Sequence, residues 1–255
     1  MAQEFVGSII FNQSVAKNQF EMVIETTRAL PKVVPGQFCM LSVNDSAHLL
    51  RRPLGIYRIL GKKQFSVLYK IVGEGTQLLS LKQKKEKLSI LLPIGNGYPS
   101  LDKTQLTYVV AGGIGLGSVS LLLNTEKHIK FFYGAKTQKE FVSLGFPQKN
   151  IFYATDDGSK GNKGFVVEPV KKNLKQDIKN GDNPVIYACG PSPMLKSLYE
   201  SVHSISQNVK MFFSLEERMA CGIGVCMGCV VNIQGEYKRV CVDGPVFEAD
   251  DIVWE

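Results

Sequence analysis

The chain has 255 residues, 44% hydrophobic and 21% charged, which excludes wholesale disorder and allows a core without disulfide staples. No apolar run approaches the roughly 18 residues of a membrane-spanning helix. The first five residues show no basic start leading into an apolar stretch, so the sequence predicts a cytoplasmic protein without a secretory signal. The net charge of +7 permits a nucleic-acid partner. However, the densest basic stretch, Lys82-Gln83-Lys84-Lys85-Glu86-Lys87, has no aromatic residue on which a base could stack. It reads as solvated surface.

Residues 1–100 read as β structure. Segments 5–11, 20–26, 37–43 and 65–72 are short runs rich in β-formers. Pro35-Gly36, Gly61-Lys62, Gly73-Glu74-Gly75 and the proline- and glycine-rich 93–99 punctuate them. Many short strands spaced in this way predict a barrel. Within it, Arg51-Arg52-Pro53-Leu54-Gly55 puts two arginines beside a rigid turn, where guanidinium groups can pair with phosphates. Gly75 and Thr76 add backbone and hydroxyl donors downstream. An ordinary turn with surface arginines accounts for the same residues.

From residue 101 the pattern changes. Apolar runs at 106–111, 129–133, 151–154, Val185–Cys189 and 210–214 alternate with helical patterns over Val167–Lys179 and 193–202. This alternation predicts βαβ units and a parallel sheet buried on both faces. Two strand-to-helix turns stand out. Ala111-Gly112-Gly113-Ile114-Gly115-Leu116-Gly117-Ser118 follows an apolar run, and Cys189-Gly190-Pro191-Ser192-Pro193 follows another. Such turns let backbone amides meet a pyrophosphate. Ser118 stands where the third glycine of G-x-G-x-x-G would be. Each turn alone is only a tight turn, but two in one sheet can flank a nucleotide crevice. Asp156-Asp157-Gly158-Ser159 reads as a plain loop or a further cofactor contact. His48, His128 and His203 are isolated and read as structural, and Cys39 as a buried small residue.

Four of the six cysteines, Cys221, Cys226, Cys229 and Cys241, crowd into the tail that starts at Leu215. Their C-x4-C-x2-C…C spacing is the plant-type pattern for a [2Fe–2S] cluster. The chain must wrap tightly to bring four thiolates onto two irons, and Gly222, Gly224 and Gly228 are expected to allow left-handed angles and close approach. Structural zinc is the alternative, but zinc sites commonly pair two C-x2-C knuckles and only one is present. Disulfides suit an oxidising compartment. The tail is expected to be a small module that depends on its metal centre.

The order of these motifs resembles a known family. Arg52-Pro53-Leu54, Gly75-Thr76, Leu92-Pro93-Ile94-Gly95-Asn96-Gly97, Ala111-Gly112-Gly113-Ile114-Gly115, Thr155-Asp156-Asp157-Gly158-Ser159, Cys189-Gly190-Pro191, Glu217-Arg218-Met219-Ala220-Cys221-Gly222 and Val240-Cys241-Val242-Asp243-Gly244-Pro245-Val246-Phe247 together resemble the electron-transfer subunits of bacterial dihydroorotate dehydrogenase B, within the ferredoxin reductase-like family. The resemblance spans nearly the whole chain. It implies a multi-domain β plus α/β architecture: an FAD-binding β-barrel over 1–100, an NAD-binding α/β domain over 101–214 and a [2Fe–2S] module over 215–255. It implies that Arg52, Pro53, Leu54 and Gly55 line the flavin. Leu68, Tyr69, Lys70, Gly75 and Thr76 would hold its ribityl and phosphate portion. Gly112, Gly113, Gly115, Cys189, Gly190 and Pro191 would face NAD, and Cys221, Cys226, Cys229 and Cys241 would ligate iron.

No catalytic acid or base is implied. The implied partner is an FMN-containing catalytic subunit, two copies of each chain forming a heterotetramer, with neither nucleic acid nor membrane involved. Three places depart from the pattern: Gly55, where relatives often carry serine; Leu116-Gly117-Ser118, where a proline often follows the glycine-rich turn; and the segment before Cys241, which is somewhat short for the family. A ferredoxin:NAD(P) oxidoreductase-type subunit is the nearest alternative, and a zinc-bearing nucleic-acid-binding module a distant one. Gly134-Ala135-Lys136-Thr137 shows no acid or arginine that marks the ribose, so the sequence leaves NAD against NADP open.

Overall fold

The computed structural model describes residues 2–102, 104–124, 128–144 and 150–254. Six strands form a closed barrel: β1 (Gln3–Ala16), β2 (Gln19–Thr26), β3 (Phe38–Leu41), β4 (Arg52–Ile59), β5 (Gln64–Lys70) and β6 (Lys87–Ile94). Their order is β1-β2-β5-β4-β3-β6, and β6 pairs back onto β1. Alternation decides which face turns inward. Leu88, Ile90 and Leu92 of β6 meet Phe5 and Ile9 of β1 and Met22 and Ile24 of β2 in the barrel core. Closure leaves no unpaired edge.

Two of these elements differ from the sequence reading. The Arg51-Arg52-Pro53-Leu54-Gly55 run, expected to set two arginines beside a rigid turn, instead leads into β4, paired to β3 on one side and β5 on the other. Gly73-Glu74-Gly75, also expected as a turn, opens helix α1 (Glu74–Leu81). The Thr76 hydroxyl accepts the Val72 and Gly73 amides at 2.9 and 3.2 Å and donates to the Gly73 carbonyl. That local network satisfies donors that a helix start leaves open.

The second unit is a mostly parallel sheet. It contains β7 (Thr107–Gly112), β8 (Ile129–Ala135), β9 (Ile151–Thr155), β10 (Asn162–Lys163), β11 (Val185–Cys189) and β12 (Met211–Ser214). The expected helix after the glycine-rich turn is a single turn, α2 (Leu116–Val119), between 3-10 segments Gly113–Gly115 and Ser120–Asn124. Helices α3 (Val167–Lys179) and α4 (Ser192–His203) cover one face of the sheet with Val170, Leu174, Leu195 and Leu198. The other face packs Val109, Phe131 and Tyr187 against Leu116, Val119 and the barrel residues Tyr57 and Leu68. At the amino ends of the strands, the Asp177 carboxylate of α3 binds the Lys130 ammonium at 2.7 Å and the Tyr108 hydroxyl.

The tail adds β13 (Val230–Ile233), β14 (Glu236–Arg239) and β15 (Val246–Glu248). β13 and β14 pair with each other, while β15 joins the sheet antiparallel to β12, giving the order β10-β9-β8-β7-β11-β12-β15. Val240, Phe247, Ala249 and Ile252 share a core with Leu198 and Val202 of α4, and His203 bonds Asp250 at 2.8 Å. The tail therefore leans on the α/β core as well as on any metal centre. Barrel and sheet are tied by Tyr98 Oη to the Ala188 carbonyl at 2.8 Å, Ser120 Oγ to the Tyr57 carbonyl at 2.6 Å and Gln19 Nε2 to the Glu140 carbonyl at 2.7 Å.

Candidate cofactor-binding sites

The first site lies on the barrel. The Arg52 guanidinium rests against the first turn of α1: a Cβ built on Gly75 would fall 2.0 Å from Nε and 2.3 Å from Nη2. Arg52 also donates to the Leu50 carbonyl. A guanidinium and the amide end of a helix are both electropositive, so a place where they converge on a glycine suits an anion. Arg51 is not part of it; its Nη2 binds Glu4 Oε1 at 2.6 Å and Ser89 Oγ at 2.8 Å. The His48 ring bridges Asp45 Oδ1 at 2.7 Å and Glu74 Oε2 at 2.9 Å, fastening loop 44–51 to the first residue of α1. These hydrogen bonds, to Asp45 first and then Glu74, raise the His48 pKa.

The other residues expected on this face divide. Pro53, Leu54 and Gly55 run along β4 opposite Met40, Cys39 and Phe38 of β3. The Tyr69 ring turns into the barrel, its hydroxyl on Asn12 Oδ1 at 2.7 Å, so only its backbone is left for a ligand. Leu68 packs toward α2. Lys70 pairs with Glu140 at 3.3 Å across the two units and lines a different cavity. The Thr76 hydroxyl is taken up by its own turn.

That cavity is the second site, about 530 Å³ in volume, within the usual range for a small-molecule or cofactor pocket. It lies outside the carboxyl ends of β7 and β11. From β7 the chain builds outward through β8 to β10, then returns to place β11 and β12 on the other side. This reversal is the topological switch point at which open α/β sheets bind ligands. Gly112, Gly113, Gly190 and Pro191 line it. Gly115 does not; a Cβ there would fall 2.3 Å from the Cys189 carbonyl oxygen, so this glycine lets the two turns press together.

The Cys189 thiol is buried beneath the cavity wall. Burial first, then the nearby Glu216 carboxylate, push its pKa up, while hydrogen bonds from the Ser118 and Ser214 hydroxyls oppose the rise. Cys189 Sγ stands 3.7 Å from Glu216 Oε1. Glu216 opens onto the cavity, and the protein walls around its carboxyl raise its pKa by desolvation. Sequence reasoning missed Glu216, the Lys70–Glu140 pair, Lys136 and the exposed Phe165 on this wall. Only the position of Glu216, just after a strand's carboxyl end, was a usable signal. Asp156, weighed as loop or contact, lines the cavity.

The third site is the cysteine loop. Antiparallel pairing of β13 and β14 brings Cys229 and Cys241, which flank their paired ends, to one place, where the Val240 amide donates to the Cys229 carbonyl at 2.9 Å. Four cysteines with a single C-x2-C knuckle suit a binuclear centre better than one zinc. Amides point at the sulfurs: Ile223 N and Cys226 N lie 3.5 Å from Cys221 Sγ, and Gly228 N lies 3.4 Å from Cys226 Sγ. Against the cost of burial, the Ile223 and Cys226 amides and the Cys226 thiol bring the Cys221 pKa down to about 6. Burial and the Cys229 thiol push Cys241 up to about 12.

Gly222 and Gly224 take left-handed angles, φ +68° and +81°, as expected. Gly228 does not; Met227 takes the left-handed position, φ 56°. A Cβ on Gly228 would meet Cys226 Sγ at 3.5 Å, an ordinary contact, so neither backbone angle nor crowding demands glycine there. Gly222 lies against β3, where a Cβ would fall 2.9 Å from Met40 Cγ.

A closed barrel followed by this sheet is the architecture of ferredoxin reductase-like proteins. A solved structure of an NADH-dependent reduced ferredoxin-NADP oxidoreductase, studied for flavin-based electron bifurcation, superposes with a TM-score of 0.82 over 97% of this chain and 90% of that one, at 26% identity. The model of the iron–sulfur cluster binding domain of dihydroorotate dehydrogenase B matches residues 216–253. The electron transfer subunit of dihydroorotate dehydrogenase B (NAD(+)) from Bacillus pumilus is 36% identical, covering 96% of each chain. Its counterpart from Caldanaerobacter subterraneus is 34% identical, covering 100% of each. The chain belongs to the family of dihydroorotate dehydrogenase B electron-transfer subunits.

Proposed function

We propose that this chain carries electrons from the FMN of a dihydroorotate-oxidising catalytic subunit to NAD+, in pyrimidine biosynthesis, with FAD and one [2Fe–2S] cluster as its resident groups. One observation carries the reading: the three sites are contiguous. The cysteine loop meets β3 at Met40 through Gly222, and the glycine-rich turn of the cavity meets β4 at Gly55. β3 and β4 are paired neighbours, with Met40 opposite Pro53 and Phe38 opposite Gly55. The barrel face thus stands between the cavity and the thiols.

When bound, FAD exchanges hydride for single electrons and the cluster takes single electrons only, which is the reason for that order. The chain's own residues bind, orient and tune. Arg52 and the α1 turn at Gly75 and Thr76 would hold the FAD phosphates, with Pro53, Leu54 and Gly55 along the flavin and the Leu68-Tyr69-Lys70 backbone beside it. Gly112, Gly113, Gly190 and Pro191 would seat NAD, with Gly115 and Cys189 fixing the two turns beneath. Cys221, Cys226, Cys229 and Cys241 would ligate the irons, and the amides aimed at the sulfurs would set the potential.

We place the domain boundaries at 1–100, 101–214 and 215–255, supported by the barrel's last strand ending at Ile94 and by the cysteine tail beginning after β12. The partner assembly is two copies of each chain, in the cytoplasm; no helix among the described residues is long and apolar enough to cross a membrane. The test is co-expression of the tagged chain with a dihydroorotate-oxidising subunit. Co-purification, flavin and iron in the product, and dihydroorotate oxidation coupled to NAD+ are expected. A chain that ignores that subunit and instead reduces ferredoxin with NAD(P)H would overturn the reading in favour of a ferredoxin:NAD(P) oxidoreductase.

A further inference from the structure

Arg239, the last residue of β14, organises the cysteine loop through both its backbone and its side chain. Its carbonyl accepts the amides of Val242, Asp243 and Gly244 at 3.1, 2.8 and 3.3 Å, so the turn that carries Cys241 winds around it. Its own amide donates to Asp243 Oδ2 at 2.8 Å. The guanidinium then closes a fork: Nε donates to Asp243 Oδ2 at 3.0 Å, Nη2 to Asp243 Oδ1 at 3.3 Å and Nη1 to the Gly224 carbonyl at 3.2 Å. Gly224 stands between Cys221 and Cys226, and Asp243 follows Cys241 by two residues. One side chain therefore ties the loop of the first three cysteines to the turn of the fourth. The fit at Gly224 is tight: a Cβ there would fall 2.6 Å from Val242 Cγ2 and 3.3 Å from Arg239 Nη1. The barrel grips the same turn. Asn96, two residues beyond the end of β6, donates Nδ2 to the Val242 and Asp243 carbonyls at 3.3 and 3.1 Å, and its amide to the Gly244 carbonyl at 2.6 Å.

We propose that Arg239 is a positioning residue for the iron–sulfur centre, with two separable tasks. Its fork closes the loop around the four thiols before metal arrives, and its positive charge, set against the Asp243 carboxylate, tunes the reduction potential of the centre. The tuning role rests on the cluster assignment proposed above, whereas the fork itself joins protein atoms alone. Four thiolates on two irons leave a net negative charge, which each added electron increases. A neighbouring cation therefore favours the reduced form and a neighbouring anion the oxidised form. The two partners pull the potential in opposite directions. Loosening of the loop alone has no such signature, because losing either partner opens the same fork to the same water. Lysine keeps the charge without the fork, since an ammonium lacks the planar set of donors that reaches Asp243 and the Gly224 carbonyl together. The Arg239 and Asp243 side chains are 36% and 30% exposed, so solvent screening keeps each charge effect modest.

Three variants of the full chain test the inference: Arg239→Gln, Arg239→Lys and Asp243→Asn. Iron and sulfide per wild-type chain are measured first. A potentiometric titration followed by cluster absorbance then reads the charge. Arg239→Gln moves the reduction equilibrium toward the oxidised form by roughly twofold to fivefold, the worth of an exposed charge pair, or about 20–40 mV more negative for one electron. Asp243→Asn moves it the opposite way, and Arg239→Lys moves it less than half as far as Arg239→Gln. Thiol labelling of the iron-free chain reads the fork. The buried Cys241 labels faster by roughly threefold to tenfold in both arginine variants, the worth of one hydrogen bond. Shifts of the same sign in Arg239→Gln and Asp243→Asn, or no shift, overturn the tuning role. Unchanged labelling in both arginine variants overturns the loop closure. A wild-type chain without iron overturns the cluster assignment and the tuning role with it, while the labelling still decides whether Arg239 closes the loop.

Discussion

The Arg52 guanidinium lies so close over Gly75 that any side chain there would displace it; the built Cβ falls 2.0 Å from Nε. Both groups are needed for one purpose if an anion sits between a cation and the amide end of α1. Gly75→Ala then forces Arg52 off its place without touching the barrel core. FAD affinity is expected to fall by roughly tenfold to a hundredfold, the range for a hydrogen bond to a charged group. Titration of apo-protein with FAD, followed by fluorescence, measures it. Retained wild-type affinity in Gly75→Ala would remove the anion site from this face.

The cysteine loop leans on the barrel through Gly222 and Met40, and Gly222 also holds a left-handed angle. Gly222→Ala meets both obstacles, and the left-handed angle alone costs about 1–2 kcal/mol. Iron and sulfide per chain are expected to drop while FAD content stays. Cys229→Ser goes further: cluster absorbance is lost and transfer to the catalytic subunit stops, whereas FAD reduction by NADH largely persists. Equal loss of both activities in Cys229→Ser would contradict the order of carriers.

What the sequence made legible follows from locality. α3 occupies Val167–Lys179, the predicted span, because its apolar residues repeat at helical spacing within a single segment. The cysteine spacing was readable because ligation imposes it on neighbouring residues. β4 was hidden: Pro53 argues against a strand, and only its partners on β3 and β5 make it one. α1 was masked by its flanking glycines, and what starts it is the Thr76 hydroxyl network. The Lys70–Glu140 pair and the meeting of Gly55 with Ser118 join residues far apart in the chain. No local pattern carries such contacts.

His48 gives the FAD face a pH dependence. Its ring ties loop 44–51 to α1 through Asp45 and Glu74, and those partners raise its pKa above the ordinary 6.5. The sign follows from linkage. Below the unfolded pKa the ring is charged in both states and the tie is at full strength. The tie is lost as pH rises through the higher folded value. FAD release is therefore expected to quicken with rising pH across that window, and His48→Gln to flatten the dependence at the faster rate. Stopped-flow release of FAD over the neutral to mildly alkaline range reads it; identical slopes in both proteins would dismiss the tie.

The Asp177 carboxylate separates stability from function. It is 5% exposed, binds Lys130 Nζ at 2.7 and 2.8 Å, and accepts the Tyr108 hydroxyl. Burial, then the Asp177 contact, raises the Tyr108 pKa, so the phenol stays a donor and the carboxylate an acceptor. All three lie at the amino ends of β7 and β8, away from the cavity at the carboxyl ends. Asp177→Ala leaves a cation and a phenol without their shared acceptor. Breaking such a pair costs about 3 kcal/mol, at the low end because the Lys130 side chain keeps some access to water, and lowers the midpoint of thermal unfolding by roughly 6–12 °C. FAD reduction by NADH below the new midpoint is expected to match wild type. A variant that unfolds at the wild-type temperature, or that loses activity while still folded, would show that this cluster is not the structural tie described.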